Sequence, residues 1–161
     1  MFTVDVKTKA KNPNAMRDLK KRLKEMSSKK IAVGFPKGRL NNPHYEDGAS
    51  IIDVAIWNEF GTNNIPRRDF MGIATEKWQK YIAAKVEEFK EQISDGTLDI
   101  DMFLKMIGEA GKEFISDAIV KLRTPPNAPS TIRHKKGRSN PLVDSGDMSK
   151  AATYEIRKVE Q

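Results

Sequence analysis

Asp99-Ile-Asp-Met-Phe-Leu-Lys-Met-Ile-Gly-Glu-Ala-Gly-Lys-Glu-Phe-Ile-Ser-Asp-Ala-Ile-Val-Lys-Leu122 is the stretch on which the fold turns. Ile100, Phe103, Ile107, Phe114, Ala118 and Leu122 recur at helical spacing and predict one long amphipathic helix. Asp99 or Asp101 opens it as a cap. Gly108 and Gly111 lie on or near its apolar stripe. Each costs about 1 kcal/mol relative to alanine in a helix. Either a neighbouring helix or strand approaches the backbone closely there, or the helix bends.

Outward from this helix, the elements on the N-terminal side follow from caps and breakers. Asp95-Gly96 ends a preceding helix that opens at Asp69 and carries Trp78, Ile82, Val86 or Phe89, and Ile93. Ser50 caps a shorter helix over Ile51 to Phe60, and Gly61 stands where a left-handed terminator is expected. Ile65-Pro66 cannot continue that helix, because proline disfavours helical geometry in the residue before it. Asn12-Pro13 starts a first helix with Met16, Leu19, Leu23 and Met26 on one face and Lys/Arg opposite, ending near Ser27-Ser28. Residues 2–6 and the alternating Ile31, Val33 and Phe35 read as strands, and 36–48 as an exposed loop.

On the C-terminal side, residues 123–143 change character. Three prolines fall within Pro125-Pro-Asn-Ala-Pro129, and Arg133-His-Lys-Lys-Gly-Arg138 follows. Such a segment is an excursion with a function or simply disordered. A short helical turn follows at Leu142 to Met148, and Ala152, Tyr154 and Ile156 alternate as a closing strand. Strands near both ends and long helices between them predict one α+β domain over 1–161. Its sheet is small and mostly antiparallel, helices pack on one face, and a long proline-rich basic loop (about 123–141) precedes the last strand.

Composition narrows the chemistry. The chain has 161 residues, enough for one core without staples. It has no cysteine and two histidines, His44 and His134, so thiolate and histidine-rich metal sites are excluded. No run of about 18 apolar residues suggests a membrane span, and no charged-then-apolar leader opens the chain. No phosphate-cradling glycine motif, nucleophile elbow or convincing Ser/His/Asp set is present, and His44, Glu46 and Asp47 read as solvated surface. The reading is therefore a non-enzyme with no catalytic, cofactor-binding or metal-binding residues. The net charge of +7 is unevenly spread: +9 over residues 1–40, −7 over 41–120 and +5 over 121–161. Basic ends attract phosphate or acidic surfaces, and the asymmetry suits head-to-tail contact between identical subunits. Lys20, Lys21, Lys24, Lys29 and Lys30 form either such a patch or a solvated face.

Two linked motifs carry a resemblance. Val54-Ala-Ile-Trp-Asn-Glu-Phe-Gly-Thr62, followed by Ile65-Pro-Arg-Arg-Asp-Phe-Met71, resembles a signature of tailed-bacteriophage virion-morphogenesis proteins. These are the small tail-completion or head–tail joining (neck) proteins, also described as minor tail components. In that family a helix ending in EFGT precedes IPARPFM and a long helix, and an LVDTG turn precedes the final strand. Leu142-Val-Asp-Ser-Gly146 is similar to that turn, and Val33-Gly-Phe-Pro36 to a further element. The chain departs from the pattern where Arg68-Asp69 stands for Arg-Pro, and at Asp147.

The resemblance implies a structural virion protein at the head–tail junction, made in the host bacterial cytoplasm. It implies assembly as a ring homo-oligomer, a hexamer, between the portal-side connector and the tail-tube proteins. No cofactor or membrane is implied, and contact with DNA would be non-specific. The alternative from the charge pattern is a non-specific nucleic-acid-binding protein acting free in the cell. Trp57, Phe60, Gly61, Thr62, Pro66, Phe70, Asp144 and Gly146 are expected to define the fold, with Trp57, Phe60 and Phe70 in the core. Glu59 is placed to pair with Arg67 or Arg68. Glu59, Arg67, Arg68, Arg123, Arg133, Lys135, Lys136 and Arg138 are the expected interface residues.

Overall fold

The computed structural model describes residues 15–36, 42–45 and 48–159. The expected strand at 2–6 and the Asn12-Pro13 helix start lie outside these residues. Among the described residues the chain runs α1 (Ala15–Ser27), β1 (Lys29–Gly34), α2 (Ile51–Phe60), α3 (Phe70–Glu88), α4 (Lys90–Asp95), α5 (Ile100–Lys121), α6 (Pro129–His134), α7 (Asp147–Ala151) and β2 (Thr153–Lys158). The fold is α+β, as the order of sequence patterns predicts.

Helix α5 is the axis. Asp99 caps it, its side chain accepting from the Met102 amide at 3.0 Å. One side packs on α3, and another receives both strands. The strands form an antiparallel ribbon with Ile31 opposite Ile156 and Val33 opposite Tyr154. Those pairs face α5, and the two glycines explain how closely. A Cβ on Gly111 would stand 2.9 Å from Trp78 Cε2 and 3.0 Å from Val33 Cγ2. A Cβ on Gly108 would stand 2.7 Å from Tyr154 Cγ. The glycines thus serve close approach. The Trp78 indole completes the joint by donating to the Ile107 carbonyl at 2.8 Å.

The core lies where α2, α3, α5 and the C-terminal segment converge. Phe70 and Ile119 are fully enclosed, and Ile51, Ala55, Ala74, Ile115, Leu142, Met148 and Ala152 pack around them. Local signals set the element ends. Ser50 and Asp53 form a capping box on α2, each side chain taking the other's backbone N–H. Gly96 adopts the left-handed conformation after α4. The helix expected from Asp69 to Asp95 is divided at Phe89 into α3 and α4. Phe89 turns there to meet Phe103 of α5 edge-on, at 5.8 Å between ring centres.

Candidate functional site

The motif residues meet at the corner between α2 and α3. Gly61 has φ 77° and ψ 167°, an extended mirror-image conformation rather than the expected left-handed helical one. Glycine is still required, since a Cβ would stand 3.0 Å from the Arg67 nitrogen. Thr62 closes the turn. Its hydroxyl accepts from Asn64 and Ile65 amides at 3.2 and 3.0 Å, and its N–H donates to the Ile65 carbonyl at 2.8 Å. Exposed Pro66 then leads into Asp69, which caps α3 through the Gly72 amide.

Arg68 corrects the interface expectation. Its side chain is 4% exposed and points inward. Nη1 donates to Asn58 Oδ1 at 2.6 Å and Nε to the Pro125 carbonyl at 3.0 Å. Nη2 donates to the Pro126 carbonyl and to Asn127 Oδ1, both at 3.2 Å. Burial shifts its pKa below the ordinary value. Asn58 passes the chain of bonds back to the Val54 carbonyl. Asn127 passes it forward to the Asn140 carbonyl, and Asn140 binds Val120 O and the amides of Leu142 and Val143. A polar hub therefore joins the three sequence motifs.

The proline-rich segment is correspondingly not the open loop expected. It contains α6, and Pro125, Pro126 and Asn127 are anchored on Arg68. Lys135 is also turned inward, its Nζ donating to the Asn140 carbonyl at 2.8 Å. Desolvation lowers the Lys135 pKa. Arg123, Arg133, Lys136 and Arg138 remain exposed. Arg123 folds back on the Val120 and Leu122 carbonyls, and Arg138 pairs with Asp144 at 2.7 Å. Gly146, with φ 86°, turns the chain into α7.

Glu59 is buried, which corrects its place among the interface residues, and it forms neither expected arginine pair. Its Oε2 accepts from the Met71 amide at 2.9 Å. Arg67, exposed as expected, pairs with Asp69 instead, at 3.3 Å. Burial raises the Glu59 pKa above 4.5, while the hydrogen bond with Glu59 depresses that of Asp69 below 3.8.

Glu59 holds its proton to higher pH in the folded state than in the unfolded chain. Its contribution to stability is present below pH 4.5 and is lost as pH rises through its folded pKa. Asp69 acts oppositely, its contribution being lost as pH falls through its depressed pKa. Glu59→Gln keeps an acceptor for Met71 and a donor for Asp69 without the charge. Urea midpoints measured between about pH 5 and about pH 8 should fall for the wild type relative to Glu59→Gln. Parallel curves would remove the buried charge from the account.

Helix α2 is inverted in polarity. Asn58 and Glu59 are buried at 8% and 9% exposure, whereas Ile56 and Phe60 are 48% and 72% exposed and Trp57 is exposed too. This corrects the expectation that Trp57 and Phe60 lie in the core; of the three aromatics, Phe70 alone does. Phe35, Ile52, Ile56, Phe60 and Met71 line an open groove of about 370 Å³. Asn58, Asn127, Asn140 and Ile56 went unrecognised in the sequence. Asparagine near a turn carries a local signal, but its long-range partner does not.

No group of three or more His, Asp or Glu side chains is placed to hold a metal among the described residues. His44 Nε2 instead meets Asp147 Oδ2 at 3.0 Å, and Glu46 and Asp47 lie outside the described residues. No described helix is long and apolar enough to cross a membrane. In comparisons with known proteins the chain matches no family model, no curated protein and no solved structure at a significant level, so the resemblance rests on its motifs.

Proposed function

We propose that this chain is a structural protein of the tailed-phage head–tail junction, working by assembly rather than turnover. It forms a ring of identical subunits between connector and tail proteins. The observation that carries the assembly part is the inverted polarity of α2. Large side chains at Ile56, Trp57 and Phe60 face outward while amide and carboxylate groups are held inside. Exposed Ile56 and Phe60 border one open apolar groove with Trp57 beside them on the helix, and such a patch marks a surface that another protein covers. Here a neighbouring copy covers it. The motif resemblance supports the phage assignment, since Ile56, Trp57 and Phe60 all lie within the Val54–Thr62 motif. The polar hub centred on Arg68 supports a rigid subunit, because it ties the α2–α3 corner to residues 125–127.

Two measurements test this. Phe60→Glu is expected to convert the assembled protein to monomer in light scattering, with folding retained, because Phe60 contributes little to the core. An unchanged mass would remove α2 from the interface. Negative-stain microscopy of lysates from a phage or prophage lacking the gene addresses the role. DNA-filled heads beside detached tails are expected. Normal infectious particles would sink the structural assignment.

A further inference from the structure

The ribbon register brings like charges together. Lys30 lies directly opposite Arg157, and Lys29 opposite Lys158. Cross-strand pairs of like charge are destabilising, so this end of the sheet is unfavourable in isolation. The two faces treat the problem differently. On the face toward α5, Lys29 is neutralised by Asp101 at 2.5 Å and lies 3.8 Å from Glu25. On the opposite face Lys30 is exposed and pairs with no acid among the described residues. Arg157 turns Nε and Nη2 onto Glu155, at 2.8 and 2.7 Å. Lys158 is exposed at the strand's end.

A fourth cation is brought to the same corner. The Ser28 amide donates to the Lys24 carbonyl at 3.0 Å, and the Ser28 carbonyl accepts from Val159 at 2.8 Å. The last turn of α1 and the end of β2 are thereby tied at one residue. Lys24, Lys30, Arg157 and Lys158 are all exposed at this corner, Lys30 and Arg157 on the outward face of the ribbon with Glu155, and Lys158 at the strand's end on the face of Lys29.

We propose that this corner binds the phosphate backbone of duplex nucleic acid without reading its sequence. The charges are mainly ammonium groups, which act as point charges toward a diffuse phosphate field. The arginine fork, the group best suited to a discrete carboxylate, is already occupied by Glu155. A phosphate set beside Lys30 compensates the charge that Glu155, engaged by Arg157, leaves unpaired on the outward face. This inference does not rest on the assembly reading.

The test is fluorescence anisotropy with a short random-sequence DNA duplex across a salt series. Three to four phosphate contacts predict a log–log slope of about −3. The double variant Lys30→Gln/Lys158→Gln is expected to bind roughly tenfold or more weakly at about 0.1 M salt, with a slope near −1. Glu155→Gln frees the Arg157 fork and is expected to bind severalfold more tightly. Its stability serves as the folding control, since it leaves the hydrophobic core untouched. No duplex binding at low salt, or equal binding by wild type and double variant, would overturn the proposal. Binding of polyglutamate in place of the duplex would also overturn it and assign the corner to an acidic protein. Phe60→Glu lies on α2 and should keep the duplex affinity of the monomer, so failure here and failure of assembly are distinguishable.

Discussion

Arg68→Met is expected to lower the unfolding free energy by about 3 kcal/mol, seen as a lower urea midpoint with unchanged slope. The side chain makes four hydrogen bonds to carbonyl and amide oxygens from Asn58, Pro125, Pro126 and Asn127. Methionine fills much of the volume and donates nothing. Asn58 Oδ1 is then left in a buried site and the other three acceptors in part-buried ones, at roughly 1–3 kcal/mol for each group that finds no partner. Relief of the buried guanidinium's desolvation offsets part of this, which is why the expected loss is well below the summed bonds. For a chain of this size the melting temperature should drop by roughly 6–12 °C. Arg68→Lys should recover little, because one ammonium cannot reach acceptors spread around a planar fork. The variant should also open residues 123–138 to trypsin, whose target residues there include Arg123, Arg133 and Lys136. A loss below about 1 kcal/mol would mean that Asn127, Lys135 and Asn140 hold the segment without Arg68.

Gly108→Ala is expected to destabilise by about 2 kcal/mol, although alanine is the better helix former. Intrinsic propensity alone predicts a gain of about 1 kcal/mol. The added methyl would stand 2.7 Å from Tyr154 Cγ, so β2 or the ring must move. Tyr154 lies opposite Val33 in the ribbon, and Val33 itself touches Gly111, so displacement spreads along the joint. The diagnostic is a double-mutant cycle. On a Tyr154→Val background Gly108→Ala should cost little or become stabilising, giving a coupling of about 2–3 kcal/mol. Additive effects would show that the glycine is not there for the ribbon. Gly111→Ala should act on Trp78 and weaken its bond to the Ile107 carbonyl, readable as a change in indole emission.

The part of this protein legible in its sequence is the local part. Ser50, Asp69 and Asp99 each cap the helix that follows them. A cap needs only its own side chain and an amide two or three residues on, so residue type and position suffice. The stripe on Ile100, Phe103 and Ile107 named α5 as a packed helix, and the glycines beside it left close approach or a bend, which the structure resolves as close approach. The order of strands and helices was enough for an α+β fold.

Direction and long-range pairing were decided only by the tertiary structure. Ile51-Ile-Asp-Val-Ala-Ile-Trp-Asn-Glu-Phe60 has large apolar residues all around the helix, so periodicity does not say which face turns in. Packing of Phe70 and Ile119 against Ala55 settles it by enclosing Asn58 and Glu59 and leaving Phe60 outside. Arg68 beside Arg67 reads as an exposed basic pair until the Pro125–Asn127 carbonyls are folded over it. Lys30 and Arg157 are unremarkable lysine and arginine in a basic chain until strand register sets them face to face. A cap is settled within one turn of chain; which charges share a surface depends on segments from opposite ends, joined only when the core closes.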